Sequence, residues 1–266
     1  MSVTVAVAQF SAGLDKEANR KLVTEAIEAA AETGAQLVVT PEYSMYWDAK
    51  NVGTDDSFPE PLDGPFVTLV RETARAAGIA VVAGMTETIA DDPRPSNTLV
   101  AVGADGALLG TYRKIHLYDA FGFRESDTIK PAEITTPLTF SLGGLTFGAM
   151  TCYDLRFPEL ARTLVDAGAN AIILPAAWVV GPAKEDQWTT LVRARAIENT
   201  VYVLAAGQTG PYCAGQSLIA DPMGTVLAGA GEAPGIAVAR LSGDRIDAVR
   251  AKNPSLANRR FRVLPA

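Results

Sequence analysis

The sequence predicts an α/β fold of two β-sheets packed face to face, with helices outside both. Three observations predict it. A strand over 3–9, a helix over 16–31 and a strand over 36–40 make a β-α-β unit, which implies parallel strands and a right-handed crossover. The string Val38-Val39-Thr40-Pro41-Glu42 is echoed by Ile172-Ile173-Leu174-Pro175-Ala176, so two similar layered halves are expected. No low-complexity segment or linker interrupts the 266 residues, a length that fits one domain, 1–266, with a substantial core.

Each element follows from local pattern. Val3 to Gln9 alternates as a strand, and Lys16 to Ala31 places Leu22, Val23, Ala26, Ile27 and Ala30 on one helical face, stopped by Gly34. Gln36 to Thr40 is the next strand, followed directly by Pro41 and Glu42 and then by the aromatic-rich Tyr43-Ser44-Met45-Tyr46-Trp47. Residues 48–63 are polar, with Gly, Pro and Asp, and read as a loop. Gly64-Pro65 begins a helix to about Ala77, ended by Gly78, and Ile79 to Met85 is a buried strand. Asn97–Val102 and Ala107–Tyr112, turned by Ala104-Asp105-Gly106, form a hairpin, with a long loop over 121–126 beyond it. A second hairpin joins Glu133–Ser141, through Gly143-Gly144, to an apolar run ending at Cys152. Pro158 then opens an amphipathic helix bearing Leu160, Leu164 and Val165. A strand over 169–174, a helix over 185–199 and a strand over 201–206 come next, then three short strands within 214–240. Ser242 is expected to cap a last helix to about Lys252. The tail, 253–266, has no periodicity and is a candidate to pack on a partner subunit.

Composition narrows the function. A net charge of −7 argues against a general nucleic-acid binder, which needs a basic surface to displace phosphate counterions. No apolar stretch approaches the ~18 residues needed to span a bilayer, so no membrane partner is expected. The N-terminus reads as a strand, not a signal peptide. Two cysteines, Cys152 and Cys213, without secretion signals make a disulfide framework unfavoured and a reducing cytoplasm the default location. The single histidine, His116, leaves no material for a multi-histidine metal centre and reads as a structural hydrogen-bonder.

The stretch around Cys152 is strand, sharp turn, helix. A cysteine there is thrust toward a helix N-terminus, whose dipole and free N–H groups favour thiolate over thiol. The ordinary alternative is a small buried core thiol. Glu42 and Lys114 share its setting, each just past the carboxyl end of an apolar strand, where ligands bind in open α/β sheets. Carboxylate, ammonium and thiol together make an acyl-transfer set: the thiolate attacks, the carboxylate moves protons, and the ammonium stabilises the oxyanion. Taken singly, Glu42 could be a turn carboxylate and Lys114, beside Arg113, a solvated cation.

Pro41-Glu42-Tyr43, Tyr112-Arg113-Lys114-Ile115-His116-Leu117-Tyr118-Asp119 and Cys152-Tyr153-Asp154-Leu155-Arg156-Phe157-Pro158-Glu159 resemble, in order, the three signature segments of the nitrilase superfamily, the carbon–nitrogen hydrolases. The resemblance implies a four-layer α-β-β-α sandwich and a Glu–Lys–Cys triad that needs no cofactor or metal. By position it implies Glu42 as general base, Lys114 as oxyanion stabiliser, Cys152 as nucleophile and the Tyr153 amide as second oxyanion donor. Glu125 resembles the family's second glutamate, which orients lysine and substrate; a surface-loop carboxylate is the alternative. The motifs look most like the branch of omega-amidases and deaminated-glutathione amidases, although Gln187-Trp188 and Gly215-Gln216-Ser217 stand where those enzymes usually carry histidine.

The implied activity is hydrolysis of a small primary amide, with or without a carboxylate, to acid and ammonia through a Cys thioester. An N-carbamoyl hydrolase or a nitrilase is the alternative, and a non-enzymatic binding module is disfavoured by the intact triad. Tyr43 and Trp178 are candidates to line the pocket, with core packing as an equal option. Arg156, Arg193, Arg195 and Lys184 are candidate cations for a substrate carboxylate, although a salt-bridge face is favoured for Arg193 and Arg195. Cys213 is expected to have no chemical role. The resemblance also implies a homodimer, or a higher homo-oligomer, through the helices after Cys152 and around Arg193 to Asn199.

Overall fold

The computed structural model describes residues 2–48 and 58–265, so the expected loop over 48–63 lies partly outside the described residues. β1 (Ser2–Gln9), α1 (Lys16–Glu32) and β2 (Leu37–Val39) form the expected β-α-β unit, with β1 and β2 parallel. Asp15 starts α1 by accepting hydrogen bonds from the amides of Glu17 and Ala18 at 2.9 and 3.2 Å. α2 (Pro65–Ala77) begins on proline and ends at Gly78, whose φ of 68° closes the helix in the left-handed region. β3 (Ala80–Glu87) joins β2 in parallel, and the hairpin β4 (Ser96–Val102) and β5 (Leu108–Arg113) extends the sheet to one edge.

Two two-residue strands, β6 (Asp119–Ala120) and β7 (Phe123–Arg124), and a 3-10 turn over Glu125–Asp127 fold the expected loop back on itself. The second hairpin is shorter than its pattern suggests: β8 (Thr139–Leu142) pairs with β9 (Leu145–Ala149). Residues 133–136 are exposed and Pro137 lacks a donor, so the strand starts late. β9 stops before Cys152, which opens a 3-10 turn, Cys152–Arg156, leading into α3 (Pro158–Asp166). Then come β10 (Ala171–Ala176), α4 (Lys184–Asn199), β11 (Tyr202–Gly207), β12 (Leu218–Ala220), β13 (Val226–Gly229), β14 (Gly235–Ser242) and α5 (Gly243–Lys252). Ser242 precedes α5, but its side chain makes no capping bond.

These strands form two six-stranded sheets, ordered β14-β1-β2-β3-β4-β5 and β13-β12-β11-β10-β9-β8. Both have three central parallel strands, an antiparallel hairpin on one side and one antiparallel strand on the other. The echo between Val38–Glu42 and Ile172–Ala176 is therefore structural, for it marks the middle strand of each sheet. Side chains alternate by the strand period of two: Val5, Val7, Leu37, Val39 and Val82 face the other sheet, while Ala6, Ala8, Val38, Val81 and Ala83 meet α1 and α2. α3 and α4 cover the second sheet with Leu160, Leu164, Trp188, Val192 and Ala196. The layers are α-β-β-α, the four-layer sandwich expected. Among the described residues, no helix is long and apolar enough to cross a membrane.

Candidate active site

Glu42, Lys114, Glu125 and Cys152 line one cavity of about 500 Å³. Glu42 follows β2 by three residues and is buried. Its backbone comes so close to β3 that a Cβ at Gly84 would stand 2.8 Å from Glu42 Cα and 2.7 Å from Tyr43 N. Only glycine fits there. The Glu42 carboxylate accepts from Lys114 Nζ at 2.9 Å, from Asn97 Nδ2 at 2.7 Å and from the Ala177 amide at 2.6 Å. The last donor sits just past β10, so the ends of the two middle strands meet at this carboxylate.

Lys114 follows β5 and is held by its amide's bond to the Asn97 carbonyl at 2.9 Å. Its ammonium lies between Glu42 and Glu125, 2.9 Å from each. Burial opposes its charge, but the Glu125 and Glu42 carboxylates outweigh burial and hold it well above the ordinary lysine value. Glu125 shows the complementary balance: burial opposes ionisation, and Lys114 with hydrogen bonds from Tyr43 and the Tyr118 amide holds it below the ordinary carboxylate value. Asn97 Nδ2 also donates to Glu125 at 3.1 Å, bridging the two carboxylates.

Cys152 has φ 46°, a left-handed conformation that is rare for a side chain of this kind and marks the sharp turn read from the sequence. Asp154 fixes that turn. It accepts from the Thr151 amide at 2.8 Å, from Tyr112 Oη at 2.6 Å and from the His116 side chain, whose Nδ1 lies 2.7 Å away. His116 is thus a structural hydrogen-bonder, stacked on Phe157. The thiolate expected at Cys152 is not favoured at rest, however. Burial pushes the thiol well above its ordinary value and the facing Glu42 carboxylate pushes it further, against the smaller effect of Lys114. Desolvation by the cavity walls outweighs the dipole of a single short turn. The arrangement suits a neutral thiol that gives its proton to Glu42 as it attacks.

Tyr43, Tyr153 and Trp178 line the cavity. Tyr43 Oη donates to Glu125 at 2.6 Å. Tyr153 lies in the first turn after Cys152, where N–H groups lack intrahelical partners. Trp178 is pinned by its Nε1 bond to the Lys184 carbonyl at 2.7 Å. Arg156 lies off the cavity wall: its Nη2 donates to Gln187 at 2.7 Å and its guanidinium stands 4.9 Å over the Trp178 ring. Arg193 bonds the Gly224 carbonyl, and Arg195 pairs with Glu198 at 2.7 Å. Of the candidate cations, Lys184 is the one on the cavity wall. Cys213 is buried, its thiol pushed up to about 12 by burial, and it lies outside the cavity wall. Among the described residues, no cluster of three His, Cys, Asp or Glu side chains could hold a metal. Asn97, buried near the start of β4, carries no signal in the sequence that would mark it as part of the site.

The carbon-nitrogen hydrolase family model matches residues 4–251. The chain belongs to that family. It is 38% identical to the deaminated glutathione amidase of Escherichia coli O157:H7 over 97% of both chains. The structure of Saccharomyces cerevisiae Nit3, a member of branch 10 of the nitrilase superfamily, superposes with a TM-score of 0.86 at 29% identity, covering 98% of this chain and 97% of that one. A mutant of the amidase from Nesterenkonia sp. AN1, with acrylamide added at its active-site cysteine, gives 0.81 at 28% identity over 94% and 97%.

Proposed function

We propose that this carbon-nitrogen hydrolase is an amidase that converts a small primary amide to a carboxylic acid and ammonia. The observation that carries it is the convergence, in one cavity, of the Cys152 thiol with an ammonium clasped by Glu42 and Glu125. Cys152 Sγ attacks the amide carbon while its proton passes to Glu42. Lys114 and the Tyr153 amide stabilise the tetrahedral oxyanion, and Glu125 holds Lys114 in place. Glu42 then protonates the departing nitrogen, ammonia leaves and a thioester remains. Water attacks that thioester, giving a proton to Glu42, and the acid departs with the thiol restored.

The charge state of the site supports this sequence of events. A thiol held neutral at rest avoids three adjacent anions, and proton transfer to Glu42 creates the thiolate only as the carbonyl accepts it. The same proposal places the protein in the cytoplasm as a one-domain homodimer, with 253–266 against the partner. Its support is the unpaired state of both cysteines and the exposure of Phe261, Leu264, Ile197 and Met223.

The test is intact mass after iodoacetamide, with a panel of small amides, on wild type and Cys152→Ala. Single alkylation of Cys152 that an amide blocks, with ammonia released from that amide, is expected. Ammonia release that survives in Cys152→Ala sinks the nucleophile assignment. A reactive Cys152 that turns over carbamoyl compounds or nitriles instead moves the activity to those substrates.

A further inference from the structure

Asn97 lies at the start of β4, is 1% exposed and stands off the cavity wall, so it touches no substrate. Its carbonyl holds the Lys114 amide at 2.9 Å, and its Nδ2 donates to Glu42 Oε1 at 2.7 Å and to Glu125 Oε1 at 3.1 Å. One residue thus holds the backbone of the lysine and both of its counter-ions. Its Oδ1, also buried, accepts from no described residue. A buried acceptor without a donor is costly, and turning the amide over would set that oxygen against two carboxylates. The amide therefore keeps the orientation the carboxylates require, at the expense of its own oxygen.

An ionised carboxylate offers about four acceptor sites, two on each oxygen. Glu125 uses them all: Oε1 accepts from Tyr43 Oη at 2.6 Å and from Asn97, and Oε2 from Lys114 Nζ at 2.9 Å and the Tyr118 amide at 2.6 Å. Glu42 Oε1 is likewise filled, by Lys114 at 2.9 Å and by Asn97. Its Oε2 accepts from the Ala177 amide at 2.6 Å and keeps one site for a proton from the facing Cys152 thiol. The titratable groups around Glu42 are Lys114, Glu125, Cys152, Tyr43 and Cys213; its other partners, Asn97, the Ala177 amide and Gln208, are neutral. Of these, Glu125 is the carboxylate that competes with Glu42 for the thiol proton. Without the Asn97 donor, Oε1 of Glu42 and Oε1 of Glu125 each regain an open site beside the place that one nitrogen now fills. Neighbouring carboxylates with open sites share a proton, and a proton held there is withheld from the reaction.

Resting on the amidase assignment, we infer that Asn97 is a positioning residue: it fills the oxygens by which the two glutamates would share a proton, and so directs the thiol proton to Oε2 of Glu42. The S–H bond breaks as an O–H bond forms on Oε2, sulfur takes the electron pair to the amide carbon, and the proton then passes to the departing nitrogen. Asn97 is neutral, so it does this without adding a charge to a site that already holds two carboxylates and one ammonium.

The experiment follows kcat and KM for a small amide, and the rate of Cys152 alkylation by iodoacetamide, against pH in wild type, Asn97→Leu and Asn97→Asp. Asn97→Leu is expected to lower kcat by about 10²-fold with KM nearly unchanged, and to move the acid-side fall of kcat/KM up by about one pH unit. Asn97→Asp keeps the size and replaces the donor by an acceptor. It is expected to gain activity toward low pH, where its carboxyl carries a proton and donates in place of the amide, and to lose activity as pH rises. Profiles of wild-type shape in both variants, reduced only in height, overturn the inference, as does a loss confined to KM. Asn97→Ser, which keeps one donor, is expected to retain more of kcat than Asn97→Ala and carries the test if the larger variants do not fold; equal losses in that pair also overturn it. Alkylation separates this from failure of the amidase assignment, because it needs the same proton transfer and no turnover. A displaced alkylation profile supports the positioning role even if no ammonia is released, and an unmoved one removes it.

Discussion

In the first half of the chain, the middle strand β2 runs out through Pro41 and delivers Glu42 to the cavity; in the second half, the middle strand β10 runs out to Ala177, which delivers a backbone amide to that carboxylate. The neighbouring strands diverge in the same manner. β1 is followed by the buried Phe10, β9 by Met150, Thr151 and the Cys152 turn. After its hairpin the first half presents Lys114, whereas the second ends β13 in Gly229 and a turn whose Gly231 carbonyl accepts from the Gln9 side chain and the Gln216 amide. A duplicated strand plan thus offers equivalent positions at the strand ends, and the chemistry occupies them unequally. The first half supplies the charged groups and the second the thiol and the amide donor. Neither half holds a complete set.

The sharpest break in this comparison is at the thiol. Cys152→Ala is expected to lower kcat by about 10⁴-fold or more with the fold intact, measured by ammonia release against thermal melting. Gly84 and Gly207, on equivalent strands β3 and β11, sharpen it next. A Cβ on Gly84 strikes the backbone of Glu42, whereas one on Gly207 strikes the Gly215 carbonyl at 2.8 Å. Both alanine variants are expected to lose about 1–3 kcal/mol of stability. Gly84→Ala is expected also to lose about 10²-fold in kcat, because it displaces the carboxylate. Equal kinetic losses in the two variants would remove the distinction between the halves.

Charge gives a third handle. Cys152 and Lys114 titrate above their ordinary values of 9.0 and 10.5, so the stability they contribute is complete below those values and is lost as pH rises toward the folded ones. Glu125 titrates below its ordinary 4.5, so its contribution is present above that value and fades as pH falls toward the folded one. Melting temperature against pH is expected to decline above about pH 9, and less steeply in Cys152→Ala. The smallest effect is expected at the other cysteine. Cys213→Ala should cost about 1 kcal/mol through a small cavity and leave ammonia release near wild type.

Much of this is legible in the sequence, for reasons that differ by residue. Glu42, Lys114 and Cys152 announce themselves because polar side chains directly after apolar strands must face an edge of the sheet. The two-layer plan was visible in the recurrence at Pro41 and Pro175. Glu125 was legible only through family likeness, since its loop has no period and its burial depends on Tyr43, Asn97 and Lys114 arriving from elsewhere. Asn97 was illegible because alternation says which face a strand residue takes and not which carboxylates wait there. The protonation of Cys152 was misjudged from local structure alone: the turn dipole is encoded within a few residues, but desolvation and Glu42 come from the far half. Arg156 and Lys184 looked equivalent as cations, and side-chain direction separated them.

The hydrogen bond from the Ala177 amide to Glu42 joins groups 135 residues apart. On a ribosome, the strand bearing Glu42 emerges long before its donor exists, and the loop to be closed is more than half the chain. Closure of so long a loop is entropically late, so the carboxylate reaches its final setting only when the second sheet docks. Any nascent or truncated chain that stops short of residue 177 lacks the amide that completes the hydrogen bonds of the Glu42 carboxylate, and is expected to release no ammonia from an amide. Maturation of the enzyme is then timed by the docking of its two sheets, and the protection of the single Ala177 amide against hydrogen exchange is a clock for that event.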